Sequence, residues 1–310
     1  MIKSYFINLN RRKDRLQNVL KQLELINFKS KRFEAFDGKT LTGNSKELEI
    51  FKNNTFNYRQ GVMGAALSHI KLWEKLVNSN KEYFLIFEDD ITFVDNFLEH
   101  YEDVNKILNN KKIDFLLLGF HTSVYKDSTD TEVSAIIEEL YNNPKKIIDM
   151  NDNIRNKTWG GLFAYIIHRD TAISYLDEIY KNNLTEPIDI FIFKKNISIY
   201  NPSIVKSPVM TWSNKADSDI QYDIISMFDE FVFFQYKDSV GNDIRWSNAN
   251  TPEQLKKEAE EEPNCVAFNT YAWLKYDICH PDKFIIMPGM NSNAHGIYVK
   301  KSKLKEFGYY

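Results

Sequence analysis

Short apolar runs alternate with amphipathic segments over the first two thirds of the chain. Unbroken apolar runs of about four to eight residues are typical of strands buried on both faces, whereas apolar residues three and four positions apart indicate helices. Strands are predicted over residues 4–9, 33–38, 83–91, 114–120, 159–169 and 197–205. Helices are predicted over residues 16–23, 61–77, 95–108 and 170–180, with Asp95 and Asp170 as caps of the last two. This alternation predicts an α/β domain with a mainly parallel central sheet.

The pattern changes near residues 221–230. A strand-like run, a turn and a helix over residues 252–261 follow, and Thr251, Pro252 and Gln254 stand in the order of a capping box. A segment of this length suffices for a small folded unit. We therefore predict a large α/β domain over residues 1–222 and a small α+β module over residues 223–310.

The run YFLIFEDDI ends one of the predicted strands in three acids, Glu88, Asp89 and Asp90. Open α/β sheets bind ligands at the carboxyl ends of their strands. Side chains alternate along a strand, so Glu88 and Asp90 are predicted on one side and Asp89 on the other. Carboxylates on such a rigid support suit Mg²⁺ or Mn²⁺ that holds a nucleotide diphosphate. The alternative is a strand that ends in a solvated acidic turn.

Basic residues cluster at the start of the first predicted helix. Arg11, Arg12 and Arg15 lie where backbone N–H groups and the helix dipole attract anions, which favours a bound phosphate over a solvated basic turn. Asp37, in an Asp-Gly turn, can accept hydrogen bonds from a ribose or a base, or can be a plain turn residue.

Small residues, among them Gly64 and Ser68, open the predicted helix over residues 61–77. They permit close approach of the backbone to a ligand or to the sheet. His69 is either a polar contact of that site or a structural histidine of the helix.

Composition and charge limit the classes of function. The chain has 310 residues, a net charge of -3 and a pI near 6.1, which argues against broad nucleic-acid binding. Two cysteines, Cys265 and Cys279, are too few for a disulfide framework or a cysteine-only zinc site. No secretory leader is evident, and no apolar run approaches the about 20 residues of a membrane span. We expect a soluble, cytoplasmic protein whose oligomeric state the sequence leaves open.

Six segments of the chain resemble, in the same order, those of glycosyltransferase family 25, the lipooligosaccharide glycosyltransferases and collagen galactosyltransferases. The segments are INLNRRKDRL (7–16), EAFDG (34–38), GVMGAALSHIKLW (61–73), FLIFEDDI (84–91), GGLFAYIIHR (160–169) and EPIDIF (186–191). The resemblance covers roughly residues 1–220. It implies a GT-A-like fold for the large domain, a nucleotide-sugar donor (usually a UDP-hexose), Mn²⁺ or Mg²⁺, and inversion at the anomeric carbon.

The resemblance also implies roles for individual residues. Asp90 would be a metal ligand, with Glu88 and Asp219 as further ligands. The donor nucleotide would be bound by Asn8, Arg11, Arg12, Arg15, Asp37, Gly64, Ser68, His69, Glu88 and Asp89. The chain departs from the family in two places: His168 replaces a small polar residue, and alanine stands within residues 64–66 where many relatives have cysteine.

An inverting transfer needs a carboxylate that takes the proton of the acceptor hydroxyl. Asp189 matches the acid of the family's Pro-x-Asp segment and is the predicted base, with Glu186 as the second candidate. A structural Asp189 that caps a helix is the alternative. We expect transfer of a hexose, galactose or glucose, from a UDP-sugar to a glycan or to hydroxylysine in a collagen-like protein. The alternatives are an inactive carbohydrate-binding protein and another metal-dependent nucleotide-sugar enzyme.

The C-terminal module resembles apple/PAN-type domains through Pro263, Cys265 and the strand VAFN. Such modules bind proteins or carbohydrates. Trp246, Tyr271 and Trp273 are expected to form the small core of the module, and stacking on sugar faces is the alternative.

Overall fold

The computed structural model of the protein describes residues 2–42, 45–56, 58–119, 146–150, 161–207, 228, 230–286 and 295–308. The α-helices in these ranges are α1 (Lys13–Leu25), α2 (Gln60–Val77), α3 (Phe97–Asn110), α4 (Arg169–Asn182), α5 (Ile188–Phe193), α6 (Pro252–Glu261) and α7 (Lys301–Glu306). The described residues group into two compact units. Unit 1 comprises residues 1–37, 64–181 and 187–218, and unit 2 comprises residues 38–63, 182–186 and 219–310. Segments 38–63 and 182–186 thus group with the C-terminal residues, and the predicted domain division at residue 222 stays a prediction.

Unit 1 contains a seven-stranded sheet in the order β2-β1-β3-β7-β5-β8-β6. The strands of this sheet are β1 (Lys3–Asn8), β2 (Lys31–Glu34), β3 (Tyr83–Phe87), β5 (Phe115–Leu117), β6 (Ile147–Asp149), β7 (Ala164–His168) and β8 (Ser198–Tyr200). Strands β4 (Thr92–Phe93) and β9 (Val205–Lys206) form a separate pair. Strands β1, β2, β3, β5 and β8 run in one direction, and β7 and β6 run in the other. The prediction of an α/β unit with a mainly parallel sheet is therefore confirmed.

Apolar side chains pack on both faces of this sheet. Leu85 and Phe87 of β3 share a buried cluster with Val19 of α1 and Val104 of α3. On α2, Trp73 has its ring centroid 5.8 Å from that of Tyr175 on α4. Every residue of β3 is buried. Because each fully buried side chain of this size contributes about 1.5–3 kcal/mol, this packing stabilises the central position of β3 in the sheet.

Several predicted boundaries are wrong. Helix α3 begins at Phe97, with Asn96 as its N-cap and no side-chain cap bond, so Asp95 is not the cap. Helix α4 follows β7 directly, which places Asp170 inside its first turn. The strand predicted over residues 197–205 is instead β8 and β9, because Pro202 between them has no N–H to donate to a ladder.

Unit 2 contains a five-stranded antiparallel sheet in the order β10-β16-β13-β14-β12 and a second pair, β11 and β15. These strands are β10 (Phe231–Gln235), β11 (Lys237–Asp238), β12 (Asp243–Trp246), β13 (Ala267–Asn269), β14 (Trp273–Lys275), β15 (Ile285–Ile286) and β16 (Gly296–Lys300). The oxygen of the Thr251 hydroxyl accepts a 3.3 Å hydrogen bond from the N–H of Gln254, as the capping pattern predicts. The side chain of Gln254 accepts from the N–H of Asn250 rather than from that of Thr251.

The aromatic residues expected in the core of the C-terminal segment lie at the surface instead. Trp246, Trp273 and Tyr271 are 54%, 40% and 40% exposed. Trp246 lies on the edge strand β12, opposite Trp273 on β14, so the two rings share one side of the sheet. The core of this unit is formed instead by another set of residues, among them Phe228, Phe231, Leu255, Phe268, Leu274 and Tyr298. The resemblance to apple/PAN domains stays a prediction.

None of the helices in the described part of the chain combines the length and the apolarity needed to cross a bilayer.

Candidate functional site

The three acids follow β3 in an irregular turn and do not continue the strand. Asp89 is 7% exposed, and its carboxylate accepts hydrogen bonds from Asn8 Nδ2 at 2.6 Å and from Arg15 Nη1 at 3.0 Å. The same Nη1 atom lies 3.5 Å from Asp90 Oδ2, whereas Glu88 Oε1 lies 3.4 Å from His69 Nε2. Strand geometry ends at Phe87, and one Arg15 nitrogen reaches both Asp89 and Asp90, so the predicted alternation of sides stays a prediction.

Burial and neighbouring acids disfavour the ionised forms of the aspartates in this turn. Burial, reinforced by the charge of Glu88, raises the pKa of Asp90 to about 7, and Arg15 offsets the effect only in part. Burial also raises the pKa of Asp89. Oδ1 of Asp90 is buried and has no hydrogen-bond partner among the described residues. A buried acceptor without a partner is costly, so this oxygen is available to a cation.

The residues present fit a magnesium- or manganese-type ion with few protein ligands. No group of three or more His, Cys, Asp or Glu side chains in the described ranges is arranged to hold a metal. Mg²⁺ is commonly held by only one or two carboxylates, together with water and substrate phosphates. Asp90, with its unpartnered oxygen, suits such a site. Asp219 lies outside the described residues.

The guanidinium groups near the start of α1 all pair with carboxylates. Arg11 Nε donates to Asp37 Oδ2 at 3.0 Å, which brings together two residues predicted to contact the donor. Their side chains are 35% and 28% exposed, so a ligand can reach this pair. Arg12 pairs with Asp14 at 2.8 Å, and Arg15 belongs to the acidic turn.

Asn8 lies at the end of β1 and is only 1% exposed. Its Nδ2 atom donates to Asp89 and, at 3.1 Å, to the carbonyl oxygen of Arg12. Its Oδ1 atom accepts from Arg32 Nε at 3.0 Å. The amide therefore holds Asp89 and the start of α1 in a fixed arrangement.

The small residues of α2 allow the chain before Asp37 to lie against the helix. Ser68 Oγ donates to the carbonyl oxygen of Gly64 at 2.7 Å and accepts from the N–H of Phe36 at 2.8 Å. Helix α2 begins at Gln60, so Gly64 lies in its second turn and not at its start as predicted.

His69 is buried and contacts Tyr165, a residue that was not predicted to belong to a site. Its Nδ1 atom lies 2.8 Å from the hydroxyl oxygen of Tyr165, which also accepts from Trp73 Nε1 at 3.0 Å. The His-x-x-x-Trp spacing puts His69 and Trp73 on one helix face. This spacing is the sequence feature that could have predicted that the two side chains share a neighbour. Tyr165 comes from β7, and nothing local in the sequence marks it.

Asp189 is the second residue of α5. Its carboxylate accepts from the N–H of Ile190 at 2.9 Å and from the N–H of Gly161. Burial raises its pKa in spite of these donors, and the charge of Glu88 acts in the same direction. Gly161 has φ +92°, a conformation that only glycine adopts readily. Glu186 belongs to unit 2.

The sequence of the chain is similar to those of known glycosyltransferases. Residues 1–192 match the sequence model of "Glycosyltransferase family 25 (LPS biosynthesis protein)". The chain is 33% identical to a putative glycosyltransferase of Acanthamoeba polyphaga mimivirus, over 98% of this chain and 95% of that protein.

Two further relatives match over shorter stretches. The lipooligosaccharide biosynthesis protein lex-1 of Haemophilus influenzae is 29% identical over 46% of this chain and 45% of its own length. Procollagen galactosyltransferase 2 of Mus musculus is 32% identical over 33% of this chain and 18% of its own length. Since the family model covers well over half of the chain and the viral relative aligns with nearly all of it, the chain belongs to glycosyltransferase family 25 and is a glycosyltransferase.

Proposed function

We propose that the protein transfers a hexose, galactose or glucose, from a UDP-sugar to an acceptor hydroxyl, with inversion and with the help of Mn²⁺ or Mg²⁺. The observation that carries the proposal is the buried, unpartnered Oδ1 of Asp90 within the acidic turn that ends β3. The names of two relatives support two acceptor classes, a lipooligosaccharide-type glycan and hydroxylysine of a collagen-like chain.

On the donor side, Asp90 would hold the divalent ion and Glu88 would be a further ligand or a contact through water. The Arg11–Asp37 ion pair is partly exposed. When the donor binds, we expect the pair to separate, so that the guanidinium binds a phosphate and the carboxylate accepts from a ribose hydroxyl. Asn8 is too deeply buried to contact a nucleotide, so it acts by holding Asp89. A divalent ion bound here would neutralise the negative charge that grows on the departing UDP.

On the acceptor side, Asp189 is the proposed base. The acceptor oxygen forms a bond to the anomeric carbon while the bond from that carbon to the UDP oxygen breaks, and the hydroxyl proton passes to Asp189. A general base is most effective when its pKa lies near the operating pH. The raised pKa of Asp189 brings it closer to neutral pH. The N–H groups of Gly161 and Ile190 fix its orientation. Glu186 remains the second candidate.

The first test is a screen of UDP-sugars for metal-dependent UDP release without acceptor. We expect slow hydrolysis of one UDP-hexose in the presence of Mn²⁺ and its loss in EDTA. Release of UMP or pyrophosphate would instead indicate a different nucleotide-sugar enzyme. Absence of any UDP release with every sugar and with added acceptor contradicts the proposal.

The second test separates the base from donor binding. Asp189→Asn should lower transfer by about 10²–10⁴-fold and leave the affinity for Mn²⁺ and UDP unchanged. Asp177→Asn, at an exposed position of α4, is the matched control and should transfer at the wild-type rate. Wild-type turnover by Asp189→Asn would show that Asp189 is not the base.

Carbohydrate binding without catalysis is a second candidate, favoured by the exposed pair of Trp246 and Trp273 on one side of the sheet of unit 2. It predicts glycan binding that Trp246→Ala weakens, in a protein that releases no UDP.

A further inference from the structure

A chain of buried polar contacts leads from the core of unit 1 to the acidic turn. Trp73 Nε1 lies 3.0 Å from the hydroxyl oxygen of Tyr165, and that oxygen lies 2.8 Å from His69 Nδ1. The opposite nitrogen of the same ring, Nε2, lies 3.4 Å from Glu88 Oε1. The first three side chains are almost completely excluded from solvent, whereas Glu88 is 32% exposed.

The hydrogen-bonding capacities of these groups determine where the protons lie. An indole N–H can only donate, so the oxygen of Tyr165 accepts from Trp73. The proton of the Tyr165 hydroxyl then needs an acceptor, and the nearby nitrogen is His69 Nδ1. A proton on Nδ1, in the other neutral form or in the imidazolium, would leave the buried hydroxyl without an acceptor.

With Nδ1 unprotonated, the neutral imidazole carries its proton on Nε2, the nitrogen that faces Glu88. The opposite tautomer would turn a lone pair toward a carboxylate oxygen. Burial raises the pKa of Tyr165 well above its ordinary value, so its hydroxyl stays protonated as the chain requires. The contacts at both nitrogens of His69 thus favour the same tautomer.

We infer that Tyr165 and His69 are positioning residues for Glu88: Tyr165 fixes the tautomer and ring orientation of His69, which in turn directs its Nε2–H at the Glu88 carboxylate. Glu88 contributes to the raised pKa of both Asp90 and Asp189, so its carboxylate is close enough to influence the proposed metal ligand and the proposed base. Without such a contact, a glutamate that is 32% exposed and follows the end of a strand can adopt several rotamers. The inference deepens the proposed function and rests on it for the role of Glu88.

The first measurement concerns the wild-type protein and needs no ligand. The nitrogen NMR shifts of the His69 ring distinguish the two neutral tautomers. We expect an unprotonated Nδ1 and a protonated Nε2. A protonated Nδ1 overturns the inference.

The second measurement is the affinity for Mn²⁺ in the presence of UDP, determined by titration calorimetry. Tyr165→Phe keeps the ring stacked on Phe115 but removes the hydroxyl, and we expect the single tautomer to be lost and Mn²⁺ binding to weaken by about 10-fold or more. Trp73→Phe is the matched control, because it removes the indole N–H and leaves the contact between Tyr165 and His69. It should retain the tautomer and the affinity.

A rescue at His69 covers the case in which Tyr165→Phe does not fold. The amide of His69→Gln can accept from Tyr165 and donate toward Glu88, so it should bind Mn²⁺ better than His69→Ala. Equal affinity of these two variants, or wild-type affinity of Tyr165→Phe, shows that the contacts do not position Glu88. If the wild-type protein binds neither Mn²⁺ nor UDP, the proposed function fails, while the tautomer still decides whether Tyr165 orients His69.

Discussion

Replacement of Asp90 by asparagine should stabilise the metal-free protein at pH 8 even though it removes a proposed metal ligand. Burial and the charge of Glu88 raise the pKa of Asp90 from 3.8 to about 7. A carboxylate whose pKa is raised by folding is ionised more readily in the unfolded chain, so its charge opposes folding at high pH. Asparagine carries no charge and escapes this cost.

The size of this stabilisation follows from the pKa values of Asp90 in the folded and the unfolded chain. They differ by about 3 pH units, and each unit corresponds to about 1.4 kcal/mol, so the gain in unfolding free energy is at most about 4 kcal/mol. We expect about 1–2 kcal/mol, because the buried amide also lacks a partner. Arg15 keeps Asp89 at 3.0 Å, so the substitution does not leave its guanidinium unpaired.

The stability difference between wild type and Asp90→Asn should grow as the pH rises. Well below pH 3.8, Asp90 is protonated in both the folded and the unfolded chain, so its charge contributes no difference between wild type and variant. As the pH rises from about 4 to about 7, the wild-type protein loses stability relative to Asp90→Asn, and the full difference persists at higher pH.

Urea unfolding in EDTA at pH 4 and pH 8, followed by circular dichroism, measures this difference. Asp170→Asn is a control of opposite sign, because a hydrogen bond from Lys112 lowers the pKa of Asp170, so this variant should be less stable than wild type at pH 8. An Asp90→Asn protein that is no more stable than wild type at pH 8, or equally stabilised at pH 4, would refute the reasoning.

Two further substitutions test packing and helix capping. A methyl group at Gly119 would collide with the ring of Phe163 and the carbonyl oxygen of Val205, so Gly119→Ala should lower the free energy of unfolding by about 1–3 kcal/mol in urea. An unchanged midpoint would show that the chain after β5 moves away at little cost. Thr251→Ala removes the acceptor for the N–H of Gln254 and should cost about 1 kcal/mol, measured in the same way. Thr251→Ser should keep most of the wild-type stability, and equal losses in both variants would contradict the role of the hydroxyl.

The predicted elements that agree best with the structure have the clearest local pattern. The unbroken apolar run of β3 and the period of α1, with Val19 and Leu23 buried, need only neighbours along the chain to be recognised. The errors occur where the pattern is weak. Leu20 has helical spacing but is exposed, and β6 forms within a polar stretch because its backbone pairs with β8.

The sequence alone determined the α/β class, the family and the place of the acidic turn, because each is encoded in residues adjacent along the chain. Its glycines, arginines and acids also marked which segments bear the candidate site. The local pattern did not determine how Glu88, Asp89 and Asp90 would be oriented, because strand geometry stops one residue before them.

Only the tertiary structure decided the partners of these side chains. Asn8 and Asp89 are 81 residues apart in sequence, and His69 and Tyr165 are 96 apart. Such contacts depend on the order and register of strands and on the helix packed against them, neither of which leaves a periodic signal. Burial then gave Asp90 its raised pKa and its unpartnered oxygen, so that an acidic turn became a candidate metal site.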